Sequence, residues 1–259
     1  MQGPGLEDAA DEYDEYSETG MVERLQRMFY APATAFAAVR RHCEWPDWMV
    51  PTLAVCLAGL LYYYGTAPVA LNPETPAIQQ QMESLSEEQR QHMLDNMELM
   101  RQQGWMMVVT GTMTSLLMVA GALFVLSRSV FRAEVSFIQM LVVKGYASVA
   151  ILVEWLARIP LTLASGMPMV PLGPGIFVTD ASGGSWWANL LIGINVFDVW
   201  QAVLMGIGVS VVGRVPLRRA LWAVFALWLM WVTSSATMAT ISYRMPPQGA
   251  PAAVEEAPE

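Results

Sequence analysis

The chain has 259 residues, 54% of them hydrophobic and 14% charged, far fewer charges than the roughly 25% of water-soluble domains. Its formal charge of −9 resides in the tails: residues 1–20 hold seven acids and no base, the C-terminal end sets three acids against Arg244, and 13 acids balance 13 bases between 21 and 243. This excludes an ordinary soluble globule and leaves nucleic-acid binding without an electrostatic footprint.

Residues 1–20 read as a disordered acidic tail. They lack the basic start of a secretory signal, so the first apolar span is expected to stay in place as an anchor. The following MVERLQRMFYAPATAFAAVRRH sets Val22, Leu25, Phe29, Phe36 and Val39 near helical spacing, with Pro32 as a break. It predicts an amphipathic segment, lying in the membrane interface or packed under a bundle. Cys43 and Cys56 straddle a Trp-Pro turn and the start of a span, so they read as two free thiols.

Apolar windows of about 20 residues, the length that crosses a ~30 Å hydrocarbon core, occur at 48–68, 105–127, 135–160, 190–213 and 220–243. The expected fold is therefore an all-α integral membrane protein with five transmembrane helices, its membrane domain covering 21–243. With the N-terminus cytoplasmic, nine arginines (24, 27, 40, 41, 128, 132, 214, 218 and 219) flank the inner ends and three (90, 101 and 244) the outer ends. The positive-inside rule thus predicts a cytoplasmic N-terminus and an outside C-terminus, the latter on an acidic tail, 244–259. Between the first two spans, 72–104 forms an external polar insertion. Thr75-Pro76 and the Ser86/Gln89 capping box predict one or two amphipathic helices there, lying on the outer membrane face or against external loops. Loop 165–189 carries no lysine or arginine, and Trp186 and Trp187 suit an interfacial belt.

Few polar groups enter the spans, and intramembrane charges are usually functional or paired. At ~1.5 Å rise per residue, Asp198 lies roughly 12 Å from one end of its span and Lys144 roughly 13 Å from the opposite end of its own. Both reach similar depth, so a Lys144–Asp198 pair fits. It reads as a buried bridge fixing helix register, as a device for protons, ions or a polar headgroup, or as two charges that never meet, and Asn195, one turn away, extends the patch. Glu154 and Arg158, at i and i+4, form a candidate interfacial pair. Small residues (Gly111 with Ser115, Gly121, Gly145 with Ser148, Gly206 with Ser210) suit close helix packing.

On the insertion, Met93, Met97 and Met100 stand near His92. Thioethers suit Cu(I), and methionine equally makes an adaptable greasy surface. No cofactor is expected. Enzymatic motifs are missing: the spans offer one aspartate rather than two, and there is no HExxH, GxSxG or phosphate-binding glycine loop.

Several stretches resemble the Yip1 family of small multi-span membrane proteins, in particular its bacterial branch. They are RMFYAPATAF with Pro32 and Phe36, WPDWMVP with Pro51, VKGYASV with Gly145 and Tyr146 on the family's Gly-Tyr pair, and INVFDVWQAVLMGIGVS. The resemblance implies a five-helix membrane domain with a cytoplasmic N-terminus and no established reaction. Eukaryotic members are associated with Rab GTPases and early secretory membranes. This chain lacks their Asp-Leu-Tyr-Gly-Pro signature and keeps only Pro51, which points to a bacterial inner-membrane protein. Two functions follow as expectations. One is a non-enzymatic scaffold or adaptor in membrane organisation or trafficking, with the bilayer and other membrane proteins as partners. The other is a small transporter or lipid-handling subunit using Lys144, Asp198 and Asn195.

Overall fold

The computed structural model describes residues 20–41, 43–83, 85–168, 170–178 and 185–244. The two acidic tails, apart from Gly20 and Arg244, and part of the 165–189 loop lie outside these. The described residues are helical, without strands, and five helices are long and apolar enough to cross a membrane: Trp45–Ala70, Glu87–Val130, Phe137–Ser165, Val196–Gly213 and Leu217–Ser242.

In chain order the helices are α1 (Met21–Arg27), α2 (Pro32–Arg41), α3 (Trp45–Ala70), α4 (Pro76–Glu83), α5 (Glu87–Val125), α6 (Phe137–Ala147), α7 (Val149–Ser165), α8 (Trp186–Gly193), α9 (Val196–Gly213) and α10 (Leu217–Arg244). The chain divides into two compact units, Met1–Val170 with Phe197–Ala226, and Pro171–Val196 with Leu227–Glu259.

In the first unit, helix starts are chemically explicit. The Asp47 carboxylate accepts the Glu44 backbone N–H at 3.0 Å, with Pro46 in the first turn of α3. Ser86 and Gln89 cap α5 reciprocally, at 3.3 and 3.0 Å, and Ser136 with Gln139 does the same for α6. Such boxes satisfy two of the orphan N–H groups that open every helix. After Ser86, however, α5 runs unbroken for 39 residues, about 58 Å, before a π turn at Leu126–Val130. Only α4 is a separate short helix in the insertion. Its second half is the polar beginning of the second spanning helix, because capping fixes one N-terminus and nothing after it interrupts the helical backbone.

Close approach involves two of the four glycines expected and others besides. A Cβ on Gly59 would meet Val108 at 2.8 Å, and one on Gly104 would meet the Tyr63 ring at 2.6 Å. The Tyr63 hydroxyl instead donates to the Met100 carbonyl, tying α3 to α5. Gly145 and Gly206 do lie against neighbouring helices, whereas Gly111 and Gly121 have nothing within 4 Å. The third span (α6 and α7, joined at Ser148) is the most enclosed. Its apolar window is 61% buried, against 17–44% in the other four.

The fourth window is also corrected. Instead of one helix over 190–213, α8 ends at Gly193 and α9 begins at Val196. Within the second unit the Val196 N–H donates to the Leu172 carbonyl at 3.0 Å, and Gly173 packs so tightly on the Ile194 carbonyl that no side chain fits there. In the same unit the Trp186 indole donates to Thr237 and the Asn189 amide to Thr240, each at 3.0 Å.

Candidate functional site

Two constellations in the first unit bring polar side chains together inside apolar surroundings. The first joins the lead segment to the spans. Asp47, 2% exposed at the start of α3, receives the Tyr146 hydroxyl at 2.8 Å on the same oxygen that the Arg24 guanidinium reaches at 3.0 Å. Three elements meet there: α1 supplies Arg24, α3 Asp47 and α6 Tyr146. Around them Phe36 of α2 is fully buried, its ring centroid 6.3 Å from that of Tyr146. Gly208 of α9 leaves room for Phe36 and Val143, and a Cβ on Gly145 would sit 3.2 Å from the Trp48 backbone and 3.4 Å from Pro51. Cys43 borders the cluster: burial first, and the Asp47 charge second, push its thiol up to about 11, with Arg24 opposing.

The family-like positions Phe36, Pro51, Gly145 and Tyr146 thus converge on one joint, with Pro32 opening the helix that carries Phe36. Arg24 and Asp47 complete it and escaped the sequence reading. Asp47 directly follows Trp45-Pro46, a helix start where a carboxylate belongs, but its burial is a tertiary fact.

The second constellation is a cavity of about 440 Å³ between α3, α5, the α6–α7 span and α9. Lys144, Asp198, Gln201, Ser148, Thr52 and Thr112 present polar groups to it, and Trp155, Ile151 and Leu116 are among its apolar walls. Lys144 and Asp198 therefore face one space. No ion pair within 4.0 Å joins them, so the direct bridge expected from their depth is not made. Gln201 donates to Ser148 at 3.4 Å, and Ser148 to the Lys144 carbonyl at 2.8 Å. Asp198 stands in the first turn of α9, where the helix dipole favours a carboxylate.

Arg158 binds Glu154 at 2.8 Å within α7 and donates to the Val170 carbonyl at 2.8 Å. The Glu154 and Arg158 side chains are only 10% and 12% exposed. Asn195 is buried, but it precedes α9 in the break after α8. On α5, Met97 is buried while His92 and Met100 are exposed. Among the described residues no three His, Cys, Asp or Glu side chains are grouped to hold a metal ion.

Chemically, the first constellation is a buried ion pair with a phenol donor, a device for fixing position. The second offers one cation, one anion, an amide and hydroxyls to a small polar group in an apolar frame.

Five helices long and apolar enough to cross a membrane define a polytopic helical membrane protein. The chain belongs to the Yip1 domain family, whose profile matches residues 27–237. No curated protein and no solved structure matches the chain.

Proposed function

We propose that the protein is a non-enzymatic scaffold or adaptor of a bacterial inner membrane, acting in membrane organisation or trafficking, with its N-terminus cytoplasmic and its C-terminus outside. The observation that carries this reading is the convergence of Phe36, Pro51, Gly145 and Tyr146, with Arg24 and Asp47, on the joint that fixes the lead segment to the spans. The family-like positions serve that joint rather than the polar cavity. The joint holds a lead whose Val22, Phe29 and Tyr30 remain 65%, 54% and 71% exposed, anchors of the sort that other membrane proteins or the interface cover. The nine-to-three arginine distribution supports the orientation.

The test is cross-linking in native membranes followed by affinity purification, comparing wild type with Asp47→Asn and with Val22→Ser/Tyr30→Ser. The same membrane proteins should be captured by wild type and lost from the lead variants at equal expression. Undiminished capture by both variants would sink the adaptor reading.

The cavity favours a second reading, a small transporter or lipid-handling subunit, because Lys144 and Asp198 share a ligand-sized space without binding one another. Proteoliposome flux and lipid-transfer assays with wild type and Asp198→Asn separate the two. An activity that Asp198→Asn abolishes would replace the scaffold reading, and equal or absent activity would remove the transporter.

A further inference from the structure

Away from both constellations, the ends of four spans surround a second cavity of about 650 Å³. The second span ends at Val130, the third begins at Phe137, the fourth ends at Gly213 and the fifth begins at Leu217. Between them Arg40, Arg132, Arg214 and Arg219 line the cleft, with Glu134 as its only carboxylate. None of these four arginines has a carboxylate within 4.0 Å among the described residues. Like charges near one another repel, so four arginines lining one cleft favour an anion among them. The forked guanidinium donors match the oxygens of a phosphate group.

A second, independent observation concerns the backbone. Arg132 and Arg214 both have left-handed conformations, φ 53° and 52°, in the positions just past a helix end where glycine is the relaxed residue. The caps themselves are closed by main-chain groups: Ala133 N–H donates to the Ser127 carbonyl at 2.9 Å, and Val215 N–H to the Ser210 carbonyl at 3.0 Å. The turns therefore need no arginine. Arg132 and Arg214 thus stand, on the two turns that border the cleft, at the cost of local strain.

We propose that this cleft binds a phosphate-bearing anion, and that its source is the headgroup of an anionic phospholipid. The position selects the lipid over free phosphate. Four span ends place the cleft at headgroup depth, and Val130 and Leu217 beside it are 65% and 48% exposed, apolar surface on which acyl chains can lie. Ordinary orientation-setting arginines need only charge. Here the geometry is that of a cleft lined by four separate stretches of chain, Arg40, 130–134, Gln139 and 212–216 with Arg219.

The test uses the full chain in zwitterionic detergent and follows thermal unfolding with added phosphatidylglycerol, phosphatidylcholine or inorganic phosphate. Phosphatidylglycerol should raise Tm in a saturable way, while the other two leave it unchanged. In the Arg132→Gly/Arg214→Gly variant, Tm without lipid should stay near that of wild type, since glycine relaxes both turns, and the apparent affinity for phosphatidylglycerol should fall by on the order of tenfold per arginine. Arg219→Gln should weaken binding likewise, and Arg218→Gln, outside the cleft, should leave it unchanged. An equal rise with phosphatidylcholine, or an undiminished rise in the glycine variant, would overturn the site. A rise with inorganic phosphate alone would overturn the lipid source.

Discussion

Tyr146 and Asp47, 99 residues apart, share a 2.8 Å hydrogen bond inside the protein, and the accepting oxygen is the one that Arg24 holds at 3.0 Å. The two partners of Asp47 are not equivalent. Tyr146→Phe removes a neutral donor and leaves the ion pair, at a cost of about 1 kcal/mol. Asp47→Asn leaves a largely buried guanidinium without its counter-charge and replaces one of the two acceptor oxygens by an amide donor, at a cost of about 2–3 kcal/mol. Thermal or denaturant unfolding in detergent should rank wild type above Tyr146→Phe and that above Asp47→Asn; the reverse order would mean that the phenol rather than the charge pair holds the joint.

Two glycine substitutions should have opposite outcomes. In Gly208→Ala the new methyl would lie 2.6 Å from Val143 Cγ1 and 3.1 Å from the Phe36 ring, so α9 must move off α2 and α6 at about 1–3 kcal/mol. Gly121→Ala meets nothing within 4 Å in the last turns of α5, and helix propensity favours it by up to about 1 kcal/mol. Both follow from unfolding midpoints measured in one detergent.

Cys43 supplies a pH test of the joint. Its thiol is pushed up to about 11, by burial first and by the Asp47 carboxylate second. The thiolate is the reactive form, so below that value each pH unit changes its population tenfold. In a Cys56→Ser background, alkylation by iodoacetamide should be slow at pH 7.5 and still climbing at pH 9.5. Asp47→Asn removes one of the two causes and should speed the reaction at any fixed pH. A rate that levels off near pH 9 would show an unshifted thiol.

Span number and the capping boxes of α5 were legible in sequence because both depend on local signals: about 20 apolar residues in a row and a Ser and Gln three positions apart. The break between Gly193 and Val196 was not. Its residues, Ile194 and Asn195, sit in an apolar run that a hydropathy window cannot divide, and the break is held by Leu172 and Gly173 from a distant loop. Depth along the helices brought Lys144 and Asp198 to one cavity, but depth says nothing about rotation, and rotation leaves a space between them. Glu154–Arg158 was readable because i,i+4 pairing needs one helix alone. Gly111 and Gly121 look like packing residues in sequence, yet a small side chain reveals only that approach is permitted, not that a neighbour exists.

Charge balance within the spans gives the last prediction. Lys144 and Arg158 of the third span are matched in number by Glu154 of the same span and Asp198 of the fourth. Arg158 and Glu154 are bonded directly, so their mutual neutralisation is local. Lys144 and Asp198 neutralise one another only across the cavity. Removing either leaves a net charge in a low-dielectric frame, and a charge in mid-membrane costs about 2.5–3.5 kcal/mol on insertion scales. Lys144→Met and Asp198→Asn should each lower membrane yield and Tm, and the Lys144→Met/Asp198→Asn double variant, neutral again, should recover most of the loss. Gln201→Leu, which removes no charge, should cost about 1 kcal/mol through its bond to Ser148. If the double variant is instead as poor as the sum of the singles, the two charges act independently and the cavity does not couple them.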